Sequence, residues 1–276
     1  MSHKCHSILR DPKGHLQAHV ASVSADLEDG HLIPTHFHPE DQILFASDGV
    51  MTVTTEGGIW VVPPQRAVWI PAGTHHSVAA SGRVSMRTLY LLPGLCRSLP
   101  GHCVVLNVTP LLRELILHAC QCSRLHKQSP VERRILEVVL DQLRVVETVP
   151  LQLPRPRDQR AARLALELAK NPGEHRALDI LCRVCGASKR TIQRVFLEET
   201  GLTFAKWRQQ LRLLHGLQSL ARGEKVSAAA FSAGYSSTSA FISVFRQQFG
   251  NTPARYLQTD SARGIAPRAE QKTGRR

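Results

Sequence analysis

ALDILCRVCGASKRTIQRVFLEETG, residues 177 to 201, is the stretch that decides the fold. It holds a short apolar run, a glycine at 186, a serine at 188 suited to cap a helix, and then Ile192, Val195 and Phe196 at three- and four-residue spacing. That is the layout of a helix, a tight turn and a second helix. With those three side chains inward, Arg190, Gln193 and Arg194 face outward. Arg and Gln are the residue types that bond guanine and adenine edges bidentately in a major groove.

The layout recurs about fifty residues on. VSAAAFSAGYSSTSAFISVFRQQFG, residues 226 to 250, has an apolar helix, Gly234 in the turn, Ser236 or Ser237 as cap, and Phe241, Val244 and Phe245 inward. Between the two units, FAKWRQQLRLLHGLQSLARG (204–223) reads as an amphipathic helix of about 19 residues, spanning roughly 28 Å. Successive major-groove faces on one side of a duplex are about 34 Å apart, so two units held this way reach both. Ahead of them, residues 161–170 form a further helix carrying Leu164, Leu166 and Leu168, ended by Asn171-Pro172-Gly173. The lone Cys182-Arg-Val-Cys185 lies inside the first unit and reads as core packing rather than a zinc site. Cys120 and Cys122, two apart on a helix, share no face.

Charge agrees with this division. Residues 1–110 carry 7 Lys and Arg against 8 Asp and Glu, whereas residues 159–258 carry 15 against 6, so a polyanion partner belongs to the second half. No apolar run is long enough for a membrane span, the N-terminus has no secretory pattern, and seven scattered cysteines fit a reducing cytoplasm.

Residues 159–257 resemble the DNA-binding domain of the AraC/XylS family of transcriptional regulators, on the strength of EETG (198–201), GYSSTSAF (234–241) and FGNTPARY (249–256). The resemblance implies double-stranded promoter DNA as partner. It places base contacts on Arg190, Gln193 and Arg194 in the first unit and on Thr238, Ser239 and Ser243 in the second, with Ile242 against a thymine methyl. Lys189 and Ser237 complete the candidate DNA-contacting set; Lys189, Lys206, Arg208 and Arg212 are candidates for phosphate contacts, the last three equally for a solvated charged face. The second helix offers no Arg or Lys before Arg246, so its direct readout should be the weaker.

The first half reads differently. Short alternating runs at 49–55, 59–62, 67–70 and 86–92, punctuated by Gly and Pro, indicate a small antiparallel barrel or sandwich. Within it, THFHPEDQILFASDG (35–49) places two histidines one residue apart, side by side if 35–38 is a strand. His36, His38, Gln42 and Gly49 match the first motif of the cupin superfamily, and Pro71, Gly73 and His76 the second. Gln42 stands where a glutamate is usual, Gln65 where a glycine opens the second motif, and Ala80 where an asparagine closes it. The resemblance, over about residues 15–95, implies His36, His38, Gln42 and His76 as ligands of one divalent transition metal, Zn, Fe, Ni or Mn. His75 points the other way. A mouth lined with histidines that bond each other or a small ligand is the alternative.

The expected protein is an α+β two-domain chain: an N-terminal antiparallel β-barrel, cupin-like, followed by an all-α domain with two helix-turn-helix units. Residues 1–105 form the sensor domain, 106–149 a helical dimerisation segment, 150–158 a proline-rich interdomain linker, 159–258 the DNA-binding domain and 259–276 a basic tail. The function expected is sequence-specific transcriptional regulation by a homodimer that senses a small-molecule or metal effector and meets RNA polymerase, with no catalytic residue. The competing reading, a cupin-fold metalloenzyme with an accessory DNA-binding domain, is weakened by the missing carboxylate at Gln42.

Overall fold

Alternation builds the first half. Along β3 (Asp41–Thr55), Ile43 and Phe45 enter one apolar core while Leu44 and Ala46 enter another. The same switch separates Ala67 and Trp69 from Val68 and Ile70 on β5 (Arg66–Ile70), and Leu89 and Leu91 from Val84 and Met86 on β6 (His76–Leu91). A sheet that is apolar on both faces must be covered on both. The computed structural model describes residues 19–122, 124–126, 129–144, 146–149 and 151–258, so the expected basic tail 259–276 lies outside the described residues.

The remaining strands are β1 (Val20–Leu27), β2 (Leu32–His36), β4 (Gly58–Val62), β7 (Val104–Asn107), β8 (Arg124–Leu125), β9 (Thr148–Val149) and β10 (Gln152–Pro154). All pairings are antiparallel, in the order β8-β1-β6-β3-β5-β7-β9, with β2 on β6, β4 on β3 and β10 on β4. The expected barrel is therefore an open sheet: among the described residues the terminal strands β8 and β9 do not pair with each other. The long strands β3 and β6 bend together at irregular register between Ala46 and Val50. Gly49 sits there at φ 77°, where a Cβ would fall 2.1 Å from the Arg83 carbonyl oxygen, so only glycine fits.

One face of the sheet is covered by α1 (Pro110–Cys122) and α2 (Pro130–Arg144), through Leu112, Ile116 and Ala119 and through Leu136, Val139 and Leu143. Val131 and Val138, at three- and four-residue spacing with Ile135 along α2, lie outside that buried stripe and are 58% and 40% exposed. Burial of each such aliphatic side chain contributes about 1.5–3 kcal/mol, so the sheet's own face claims these helices.

The other face meets the second half. There, α3 (Gln159–Lys170) is capped by Asp158, whose carboxylate accepts from the Arg160 and Ala161 N–H groups. It is followed by α4 (Leu178–Cys185), α5 (Lys189–Thr200), α6 (Phe204–Ala221), α7 (Val226–Ser232), α8 (Thr238–Phe249) and α9 (Pro253–Gln258). Residues 151–158 are no free hinge. Gln152–Pro154 adds as β10 to the edge of β4, and the Trp207 indole Nε1 donates to the Pro154 carbonyl at 2.8 Å. Helix α6 then runs along the sheet, its Gln218 amide donating to Thr52 Oγ1 at 2.7 Å and its Ala221 carbonyl closing on Gly82.

Gln65 is the single non-glycine residue with positive φ (63°) among the described residues, at the position where the cupin pattern has glycine. Its carbonyl accepts from Val108 N–H and from the Arg66 guanidinium, and those backbone contacts hold the left-handed turn. A left-handed residue with a side chain costs roughly 1–2 kcal/mol, partly offset by the entropy glycine adds to the unfolded chain. Gln65→Gly should therefore raise stability by about 0.5–1 kcal/mol, read as a higher urea midpoint at unchanged slope.

Candidate nucleic-acid interface and histidine pocket

The first helix-turn-helix unit is α4 and α5. Gly186, at φ 70°, ends α4, and Ser188 starts α5 by accepting from the Thr191 N–H at 3.1 Å. Ile192, Val195 and Phe196 are buried, and the Phe196 ring meets those of Phe204 and Trp207 edge-on. Lys189, Arg190, Gln193 and Arg194 are exposed on the opposite side of α5. Two of them are held within the protein: Arg194 donates to Glu198 at 2.6 Å, one turn on, and Lys189 to Asp179 at 3.3 Å. Such exposed pairs are weak and exchange readily for phosphate or base.

In the second unit the cap is Ser237, whose hydroxyl accepts from the Ala240 N–H at 3.2 Å. Phe241 and Phe245 are fully buried and Val244 partly so. Helix α8 approaches α6 so closely that a Cβ on Gly216 would lie 2.7 Å from the Phe241 ring. That contact fixes the second unit on the connecting helix, whose 18 residues rise about 27 Å. Ser239, Ile242, Ser243, Arg246, Gln247 and Thr252 line one groove on its outer side. Arg246, Gln247 and Thr252 were missing from the candidate set, although the spacing 239, 242, 243, 246 is one helical face.

Arg208 and Arg212 differ from their candidate roles at phosphates or on a solvated face. Their guanidinium groups point inward and donate to carbonyls of the 172–176 loop, Arg212 to Pro172 at 3.2 Å and Glu174 at 2.7 Å, Arg208 to Arg176 at 3.2 Å and also to Glu174. They tie the loop before α4 to α6. Lys206 remains available at the start of α6. The thiols of Cys182 and Cys185 are buried in the core of the first unit, as expected from their place on α4.

The histidine pocket forms where β2 ends. His38 is not in a strand, because β2 stops at His36 and Pro39 follows, so strand alternation is not what aligns the two rings. Cross-links to the 71–74 turn do it: Gly73 N–H donates to the His38 carbonyl at 2.7 Å and Ala72 N–H to Asp41 Oδ1 at 3.0 Å. The ligating atoms of His36, His38 and His76 lie within 4.8 Å of one another. His36 Nδ1 bonds the Pro34 carbonyl at 2.7 Å and His76 Nδ1 the Thr74 carbonyl at 2.9 Å, which leaves each Nε2 as the free lone pair. Burial pulls the His76 pKa down to about 4, so its imidazole is neutral at pH 7. Gln42 Oε1 and His76 Nε2 are buried without a hydrogen-bond partner. His75 is exposed and stacks on Phe37 outside the pocket. Three imidazoles and an unsatisfied amide oxygen are a donor set that fits a divalent transition metal. His36, His38 and Gln42 line a cavity of about 50 Å³ together with Tyr90 and apolar side chains.

A helix-turn-helix domain model matches residues 181–259, and an AraC-like ligand binding domain model matches residues 22–143. The HTH-type transcriptional regulator NimR of Escherichia coli K12 is 35% identical over 257 residues, 93% of this chain and 94% of its own. The chain belongs to the AraC family of transcriptional regulators. It combines the family's ligand-binding domain with its helix-turn-helix DNA-binding domain. The regulator RipA of Corynebacterium glutamicum is 35% identical over 121 residues, 44% of this chain and 35% of its own. The crystal structure of ToxT from Vibrio cholerae covers 86% of this chain and 97% of its own at 10% identity and a TM-score of 0.37, too slight a likeness to place a side chain. Among the described residues no helix is long and apolar enough to cross a membrane.

The inward arginines give a direct test. Arg212→Ala should lower the melting temperature, since it removes bonds to the carbonyls of Pro172 and Glu174. It should leave the salt dependence of DNA binding unchanged, whereas loss of a phosphate contact reduces that slope by about one. DNA titrations at several salt concentrations, beside a thermal melt, separate the two effects.

Proposed function

We propose that this AraC-family regulator reads promoter DNA mainly through Arg190, Gln193 and Arg194, more weakly through the Thr238–Ser243 face, and that metal or a very small effector in the His36, His38, Gln42 and His76 pocket alters that binding. The observation that carries the pocket reading is the convergence of three imidazoles beside a cavity that Gln42 also lines, its buried amide oxygen without a hydrogen-bond partner. An unsatisfied buried acceptor costs about 1–3 kcal/mol, which a bound cation would offset. At about 50 Å³ the space takes an ion and a few further atoms, so a larger effector has to bind elsewhere.

The preference for the first unit rests on side-chain chemistry. Arg and Gln form bidentate pairs with guanine and adenine, whereas serine and threonine make single bonds to any base. Arg194→Ala should cost about 1–3 kcal/mol on the cognate site and relax preference at one base pair. Fluorescence anisotropy with cognate and random duplexes decides this: an equal loss on both would reduce Arg194 to a phosphate contact.

For the pocket, protein purified without a histidine tag should carry about one equivalent of a divalent metal by elemental analysis. The His36→Ala, His76→Ala double variant should lose it while still binding random DNA. Coupling between sensor and DNA of the usual size, about 1–3 kcal/mol, would appear as a 5- to 150-fold response of specific binding to metal in the wild type only. Wild-type protein without metal, regulating as the double variant does, would make the histidines ordinary pocket lining. The homodimer is proposed through α2, where exposed Val131 and Val138, with Ile135 between them, repeat at coiled-coil spacing. Val138→Glu should shift sedimentation toward monomer.

A further inference from the structure

Helix α1 carries two cysteines that face opposite ways. Cys120 is turned to the sheet, its Sγ 4.0 Å from the Thr88 carbonyl oxygen, and burial raises its pKa. Burial likewise pushes the thiols of Cys96 and Cys103 up to about 12. Cys122, in the last turn of the helix, is exposed, and so is His118 one turn before it. Residues four apart are neighbours on a helix surface, and here Cys122 Sγ lies 3.6 Å from His118 Nε2. Among the described residues neither side chain has another hydrogen-bond or ion-pair partner.

That separation matches the bite of a tetrahedral metal ion. Zinc sits about 2.3 Å from a thiolate sulfur and about 2.0–2.1 Å from an imidazole nitrogen, so at a tetrahedral angle the two ligands stand about 3.5–3.6 Å apart. A pair already at that distance on one helical turn chelates without moving the backbone. The donors are also soft. Thiolate with imidazole selects zinc and similar thiophilic cations over magnesium or calcium, which take oxygen ligands. On an exposed helix face the remaining coordination positions fall to water, so the ion held there is a labile one.

We propose that His118 and Cys122 form a second metal site, a bidentate clamp for a thiophilic cation such as zinc on the outer face of α1. Binding forms one metal–Sγ and one metal–Nε2 bond; the thiol proton leaves to solvent, and His118 keeps its own on Nδ1. The ion would tie the final turn of α1, whose last carbonyls lack helical partners, and would shield the exposed thiol from electrophiles. The site is independent of the histidine pocket, which contains no sulfur ligand.

The test uses the full chain in a Cys5→Ser, His36→Ala, His76→Ala background, which removes the histidine pocket and the thiol of the N-terminal stretch. Cadmium chloride should bind saturably with a thiolate charge-transfer band in the ultraviolet; zinc chloride should displace it and magnesium chloride should not. Cys122→Ser should abolish the band. His118→Ala should keep the band at saturation but weaken binding by about tenfold or more, since even a supporting group around a metal is worth that much. Moving the imidazole off this face, in His118→Gln with Gln121→His, should not restore affinity. Zinc should also protect Cys122 from iodoacetamide, read by peptide mass mapping, a measurement that needs no substitution at the site itself. Absence of saturable binding, a band that survives Cys122→Ser, undiminished affinity in His118→Ala, or alkylation of Cys122 at the same rate with zinc overturns the proposal.

Discussion

Burial of Trp207 holds the two halves of the molecule in one arrangement. The indole lies in the core of the first helix-turn-helix unit against Phe196, yet its Nε1 donates outward to the Pro154 carbonyl on the edge strand of the sensor sheet. A buried indole N–H without a partner is costly, so the bond is strongly selected once the ring is in place. Everything downstream inherits that choice. Helix α6 begins three residues earlier, and from Trp207 its direction along the sheet is set, with Gln218 on Thr52 and Ala221 on Gly82 as further fixed points. Since α6 also carries both DNA-binding units, the sensor sheet and the spacing of the recognition helices share one rigid element.

Much of this was legible in the sequence, for definite reasons. Ser188, Gly186 and the Ile192, Val195, Phe196 triplet act within one or two helical turns, where local rules govern, and the structure follows them. The strand alternation of β3 through β6 was equally plain. Residues whose partners are distant in sequence were harder to place. Arg208 and Arg212 look like phosphate contacts on a helical wheel, and only the fold brings the 172–176 carbonyls within their reach. Val131 and Val138 belong to the apolar pattern of α2, but the sheet takes the face of Leu136, Val139 and Leu143 and leaves them outside.

The histidine pocket shows both sides. Its members were readable from spacing, but the reason for their convergence was not. Strand geometry was expected to align His36 and His38, whereas the chain leaves the strand after His36 and is steered by bonds to the 71–74 turn. That the sheet stays open was also beyond the alternation pattern, which specifies faces but not which edges meet. Gln65 is the reverse case: the pattern lacks its glycine, but the left-handed turn is kept because Val108 and Arg66 depend on its carbonyl.

The pairing of β10 with β4 bears on how such regulators can be recombined. A segment rich in proline and arginine suggests a joint at which one sensor could be exchanged for another. Here Gln152–Pro154 is sheet, Asp158 is a helix cap, and the backbone N–H of Asp158 bonds Glu199 at the end of α5. A chimaera cut between 150 and 158 would sever an edge strand from its sheet and a capping residue from its anchor. The exchangeable unit is larger than the sensor domain: it includes the linker strand and the sheet-facing side of α6, so a transplanted sensor must bring a surface that fits Trp207, Gln218 and Ala221.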